Sequence, residues 1–171
     1  MIQKKDNSNL ILVGMPASGK STVGVILAKV LGYDFVDSDL VIQKTTGKRL
    51  AELIGERGVD GFIALENEIN CGINPEQAVI ATGGSAVYGQ QAMEHFKEIG
   101  TIIYLETEFE ALEKRLGNIR RRGVVLRKGQ DLRALYDERV TLYRRYADIV
   151  ITEKGLGIED TLSEILEALQ Q

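Results

Sequence analysis

At 171 residues, the chain suits one α/β domain that buries about two-thirds of the surface its unfolded form exposes. A single cysteine, Cys71, excludes an intramolecular disulfide, and with a single histidine, His95, a Cys/His metal cluster or Ser-His triad is hard to build; both read as ordinary helix residues. The net charge of −4 conceals a segregation, with eleven Lys and Arg against three Asp and Glu between Lys114 and Arg145 in an otherwise acidic chain.

The stretch Met1 to Asn9 is polar, lacks the apolar centre of a signal peptide and reads as a short disordered tail. Leu10 to Val13 is a continuous apolar run of the kind that forms a strand buried on both faces. Gly14 to Thr22 follows directly, reading G-M-P-A-S-G-K-S-T, and opens onto a helical pattern at Val23, Ile26, Leu27, Val30 and Leu31 that Gly32 stops. Strand, loop and helix in that order define a phosphate-binding P-loop for ATP or GTP. Gly14 and Gly19 permit the backbone angles that turn N–H groups inward, Lys20 reaches the outer phosphate oxygens, and Ser21 offers a hydroxyl to Mg²⁺. Ala17, Ser18 and Thr22 belong to the same nucleotide site, which the helix N-terminus completes.

Tyr33 to Val36 predicts a second strand that ends in Asp37-Ser38-Asp39. Carboxylates at a strand end suit Mg²⁺ or a substrate hydroxyl, and if the strand continues, both side chains point the same way. Alternatively, Ser38 or Asp39 caps a helix that begins near Leu40. From Leu40 to Gly72 the helical pattern is broken at Gly47, Gly55, Gly58 and Gly61, which predicts two or three short helices forming a cap beside the sheet.

Ala78 to Ala81 predicts a third strand running into Thr82-Gly83-Gly84-Ser85, where two glycines allow close approach to a ligand. A helix over Ala92 to Ile99, a strand over Thr101 to Leu105 and a helix from about Glu108 to Leu116 follow. Gly117 to Gly129 has no clear period and carries an arginine cluster, the signature of a functional lid. Asp131 to Tyr146 is helical, Asp148 to Thr152 a fifth strand, and Ile158 to Leu169 a closing helix. The alternation predicts a parallel sheet covered on both faces, with every candidate motif at the carboxyl end of a strand. In an acidic body, the basic segment suits phosphates and a small acidic substrate better than nucleic acid. No apolar run approaches the about 18 residues of a membrane helix, and with the single cysteine this points to a soluble protein of the reducing cytoplasm; a monomer or weak dimer is expected.

These stretches, with G-F-I-A-L-E at 61 to 66, A-T-G-G-S at 81 to 85 and E-R-V-T-L-Y-R-R-Y-A-D from Glu138 to Asp148, resemble the shikimate kinase family along nearly the whole chain. The resemblance implies a P-loop kinase fold over residues 1–171, with a substrate cap at 40–72 and a lid at 117–129. It implies transfer of the γ-phosphoryl group of ATP to shikimate, giving shikimate 3-phosphate. Asp39 would then hold the substrate hydroxyls, and Asp37 would support Mg²⁺ with Ser21. Arg139 would pair with the substrate carboxylate beside Glu66, Gly83 and Gly84; Arg115 would lie against adenine, and Arg122 would reach the transferring phosphate.

Three positions depart from the family pattern. Ile63 stands where the family's F-R-x-x-E motif has arginine, Ser85 replaces the third glycine of G-G-G, and Arg122-Gly123-Val124-Val125-Leu126 replaces R-P-L-L. The missing arginine removes a charge-assisted contact of about 1.5 to 3 kcal/mol, roughly tenfold to more than hundredfold in affinity. Glu66 is then free for a substrate cation or hydroxyl, as in a hydroxylated amino acid such as homoserine; alternatively it is solvent-exposed and Ile63 is core filler. The competing readings are therefore a kinase for another small acceptor, a nucleoside or nucleotide kinase, and a nucleotide-binding module without catalysis. The nucleoside reading would want more aromatics than the single Phe62 of the cap.

Overall fold

A computed structural model describes residues 9–117, 124–153, 155 and 157–171. Its five strands are β1 (Asn9–Val13), β2 (Asp34–Asp37), β3 (Ala78–Ala81), β4 (Gly100–Glu106) and β5 (Ile149–Thr152). They form one parallel sheet in the order β2-β3-β1-β4-β5, so the expected doubly covered α/β architecture is the observed one. Because β1 is central, with β2 and β3 on one side and β4 and β5 on the other, the strand order switches sides at β1, and the crevice at its carboxyl end is where a ligand fits.

Side chains alternate across the sheet, which explains the continuous apolar runs. Leu10, Leu12, Val79, Ile103 and Leu105 pack on one face against Val23 and Leu27 of α1 (Lys20–Leu31) and Leu162 and Ile165 of α7 (Ile158–Leu169). Ile11, Val13, Ile80, Ile102 and Tyr104 pack on the other, against α4 (Gln90–Ile99), α5 (Phe109–Arg115) and α6 (Leu132–Tyr146) through Met93, Phe96, Leu112, Leu135 and Tyr143. A 3₁₀ turn at Ala86–Tyr88 precedes α4. No helix among the described residues is long and apolar enough to cross a membrane.

Several boundaries differ from the expected ones for local reasons. Asn9, expected in a tail, is a buried residue of β1; residues 1–8 lie outside the described residues. β2 begins one residue later than expected and stops at Asp37, and α2 (Ser38–Thr46) starts at once. The strand therefore does not run through Asp39, and the two aspartates do not share a strand face. Asp37 is itself the helix cap, in place of Ser38 or Asp39: its Oδ1 accepts from the N–H groups of Asp39 (2.9 Å) and Leu40 (3.3 Å).

The expected breaks in the cap reduce to two. Gly47 ends α2 with φ 69°, and α3 (Leu50–Cys71) is two helical pieces joined at Gly58, where φ is 70° and ψ 178°. Gly55 and Gly61 continue the helix. Ile42, Leu53 and Phe62 form a small apolar core together with Val125, which anchors the carboxyl-side part of the 117–129 segment onto the cap. Residues 118–123 of that segment, including Arg120, Arg121 and Arg122, lie outside the described residues. His95 is an α4 residue with its Nε2 2.8 Å from the carbonyl oxygen of Ile73, and Cys71 ends α3, as expected of ordinary helix residues.

Asn9 joins three segments at the amino-terminal edge of the sheet. Its Nδ2 donates to the carbonyls of Pro75 (2.8 Å) and Ile99 (3.0 Å), and its Oδ1 accepts from the N–H of Ala78 (2.9 Å). Gly100 approaches so closely that a Cβ there would lie 2.2 Å from the Asn9 carbonyl oxygen. Asn9→Ala leaves several buried backbone groups unpaired, each costing about 1 to 3 kcal/mol. We expect urea denaturation to show a loss of about 2 to 4 kcal/mol with an unchanged m-value, since the same surface is exposed on unfolding.

Candidate active site

Loop 14–19 turns back over the end of β1 by using rare backbone angles. Gly14 (φ 151°), Ala17 (φ 64°) and Gly19 (φ 89°) all have positive φ. A Cβ on Gly14 would lie 2.7 Å from the Leu105 carbonyl oxygen, so only glycine fits. Helix α1 begins at Lys20 with no side-chain cap and no acidic residue in its first turn. Its leading N–H groups and positive dipole end are thus left for an anion, and the exposed Ser21 and Thr22 hydroxyls flank them.

Lys20 is buried against this loop. Its Nζ donates to the carbonyls of Gly14 (2.7 Å) and Met15 (2.8 Å) and to Ser18 Oγ (3.3 Å). Burial lowers its pKa to about 8, opposed by the nearby Asp39 carboxylate. Arg115, from the end of α5, donates to the Ala17 carbonyl (3.3 Å) and grips Glu153 with both terminal nitrogens (3.0 and 2.5 Å). That pair holds the Glu153 carboxyl below its usual range and places a guanidinium at the rim of the loop.

The second half of the site converges on residues 82–85, which are tied to four different elements. Thr82 Oγ donates to the Leu12 carbonyl of β1 (2.9 Å), and Gly83 N–H donates to Ser38 Oγ of α2 (3.1 Å). The Gly84 carbonyl accepts from Tyr143 of α6 (2.5 Å), and Ser85 Oγ donates to Glu66 Oε1 of α3 (2.6 Å). The glycines are required by close approach. A Cβ on Gly83 would lie 2.6 Å from Asp39 Oδ1 and 2.9 Å from Glu66 Oε2, and one on Gly84 2.7 Å from Pro16 Cδ and 2.9 Å from an Arg139 terminal nitrogen.

Asp39, Glu66 and Arg139 therefore face one another around this loop, across from Lys20. Burial, then the neighbouring Asp37 carboxylate, pushes Asp39 up to about 6. Glu66 is 1% exposed and is pushed up to about 7, mainly by burial. It is neither solvent-exposed nor freed from a partner, because Ser85 has taken one of its oxygens.

Arg139 is also 1% exposed. Among the described residues it forms no ion pair, its Nε has no hydrogen-bond partner, and one terminal nitrogen donates to the Val125 carbonyl (3.1 Å). Its guanidinium carbon lies 5.4 Å from the centre of the Tyr88 ring. A buried cation without a carboxylate costs several kcal/mol, on the order of the gain from an anionic ligand placed there.

Every predicted site residue except Arg122, which lies outside the described residues, is thus at the carboxyl end of the sheet. The sequence reading missed Ser38, Tyr88, Tyr143 and Glu153, which act through others: they hold Gly83, Arg139, Gly84 and Arg115. Only Tyr143 left a signal, lying four residues after Arg139 on the same helix face.

Together the fold and the paired anion sites define a P-loop kinase of a small, negatively charged molecule. A family model described as shikimate kinase matches residues 16–170. The shikimate kinase of Persephonella marina is 35% identical over 159 residues, covering 92% of this chain and 96% of that relative. Among solved structures, the shikimate kinase of Acinetobacter baumannii in complex with shikimate superimposes with a TM-score of 0.85 at 32% identity, covering 96% of this chain and 94% of that one. The shikimate kinase of Aquifex aeolicus superimposes at 0.81 with 29% identity, over 95% and 96% of the two chains. The chain belongs to the shikimate kinase family, and it is an ATP-dependent small-molecule kinase.

The Gly83 approach gives a direct check on the acceptor side. Gly83→Ala forces the ends of Asp39 and Glu66 apart without touching the P-loop. We expect steady-state kinetics to show the KM for the phosphoryl acceptor raised about tenfold or more, with the KM for ATP unchanged.

Proposed function

We propose that the protein transfers the γ-phosphoryl group of ATP to a hydroxyl of shikimate, giving shikimate 3-phosphate. The observation that carries this reading is Arg139, a buried guanidinium without a carboxylate partner among the described residues, set across two glycines from Asp39. A carboxylate on Arg139 and a hydroxyl on Asp39 describe a small hydroxylated acid, and family membership supports the same acceptor.

The donor would lie along Gly14–Thr22. Backbone N–H groups take the phosphate oxygens, and Lys20 exchanges its loop carbonyls for the outer phosphates. Arg115 would lie against the adenine. Among the described residues no three acidic, histidine or cysteine side chains cluster as a metal site. Ser21 and the second oxygen of Asp37 nonetheless fit Mg²⁺, which takes most of its coordination from phosphate and water. When bound there, the ion neutralises phosphate charge. Asp39 would orient the attacking hydroxyl and accept its proton, while Lys20 and Arg122 stabilise the transferring group. Such chemistry depends on positioning and charge neutralisation more than on a strong base. Residues 40–72 would serve as the substrate cap and 117–129 as the lid, in a single domain acting in the cytoplasm as a monomer or weak dimer, without nucleic acid or membrane.

Arg122→Ala is expected to lower kcat by about 10³ or more, by analogy with arginine fingers, with little change in either KM. A variant altered only in KM would transfer that role to Arg120 or Arg121.

A second acceptor class is favoured by one observation, the unpartnered Oε2 of Glu66, which would suit the ammonium group of a hydroxylated amino acid such as homoserine. Ile63→Arg separates the two. One turn before Glu66 on the same helix face, a new arginine supplies a contact to a substrate carboxylate but repels an ammonium. We expect it to lower the KM for shikimate; inhibition of homoserine phosphorylation in the same assay would favour the other acceptor.

A further inference from the structure

Glu66 is set in its pocket in an unusual way. Ser85 donates to Oε1, while Oε2 is buried, faces Gly83 and has no hydrogen-bond partner among the described residues. Helix α3 brings it no cation, because one turn earlier on the same face stands the half-buried hydrocarbon of Ile63. The charged groups around it come from other elements: Asp39 of α2, a like charge across Gly83, and Arg139 of α6, an opposite one; the buried Tyr143 phenol of α6 is also within electrostatic reach.

An ionised Glu66 would set a second carboxylate beside Asp39 and against an anionic acceptor, and would leave Oε2 an unpaired buried acceptor. A protonated Glu66 removes both penalties and turns Oε2 into a hydrogen-bond donor. Burial, the largest influence, and Asp39 favour the neutral form, whereas the Ser85 bond and Arg139 oppose it; the outcome is a carboxyl poised near pH 7.

We propose that Glu66 is a specificity-determining residue that meets the acceptor as a neutral carboxyl. Ser85 fixes Oε1, and Oε2–H donates to the acceptor carboxylate that Arg139 also holds. Ser85 and Ile63 thereby act as a coupled pair, one orienting Glu66 and the other leaving it without a counter-ion. The inference rests on the shikimate reading above.

Because the protonated form binds, the KM for shikimate should rise as pH climbs through about 7, approaching about tenfold per pH unit above it. The full chain is assayed with shikimate and Mg-ATP from pH 6 to 9, for the wild type, Glu66→Gln and Ser85→Ala. The wild type is expected to show the rise, and Glu66→Gln, which cannot ionise, to lose it. Ser85→Ala should move the rise to higher pH, because the hydroxyl bond favours the ionised form. Asp39 and Lys20, poised near 6 and 8, titrate in all three proteins, so the readout is the component near 7 that Glu66→Gln removes, and the NMR signal assigns it. In parallel, carbon-13 NMR of glutamate-labelled, ligand-free protein should contain a carboxyl signal, absent from Glu66→Gln, that titrates near 7. A flat wild-type profile with shikimate turning over, a rise as steep in Glu66→Gln as in the wild type, or a Glu66 signal that titrates below about 5.5 would each overturn the proposal while leaving the acceptor assignment intact. Failure of the wild type to phosphorylate shikimate at any pH would remove the acceptor assignment and this inference with it.

Discussion

Lys20, Glu66 and Arg139 are buried ionisable side chains, and with the half-buried Asp39 they gather at the carboxyl end of the sheet, the last three around residues 82–85. None forms an ion pair with another of the described residues. Lys20 rests on two backbone carbonyls and a hydroxyl, Arg139 on one carbonyl and the Tyr88 and Tyr143 side chains, and Glu66 on one hydroxyl. Such a cluster costs stability, and buried ionisable groups with incomplete compensation are the pattern expected of a binding site rather than of a structural core. The tying of 82–85 to β1, α2, α3 and α6 supplies the rigidity this requires, since a looser loop would let water in and the charges out.

The P-loop shows the same economy in backbone form. Three positive-φ residues in a six-residue stretch cost conformational energy that the parallel sheet underwrites, because β1 is buried on both faces and hydrogen-bonded on both edges. Folded onto the loop carbonyls, Lys20 satisfies its hydrogen bonds within the loop, and its depressed pKa follows from that burial. Opposite it, the Arg115–Glu153 pair fixes the rim by joining α5 to the residue after β5.

Relatedness to shikimate kinases over nearly the whole chain coexists with local change at the acceptor site. Ile63 and Ser85 are 22 positions apart and look like separate departures, yet both bear on Glu66.

By itself the sequence determined what depends on short-range order. Apolar runs at Leu10–Val13 and Ala78–Ala81, the helical periods of α1 and α7, and the P-loop spacing are local patterns whose meaning survives without neighbours, and all occur as read. Boundaries set by competition between local options were less legible: Asp37 belongs both to a strand and to a helix cap, and Asn9, polar and near the terminus, is buried because three segments need its amide. Tertiary structure alone decided the state of Glu66 and Arg139, since burial and the partners that make or withhold compensation come from α2, α3, α6 and loop 82–85, far apart in the chain. A carboxylate's protonation depends on its surroundings through distance and dielectric, and neither is written in a linear pattern.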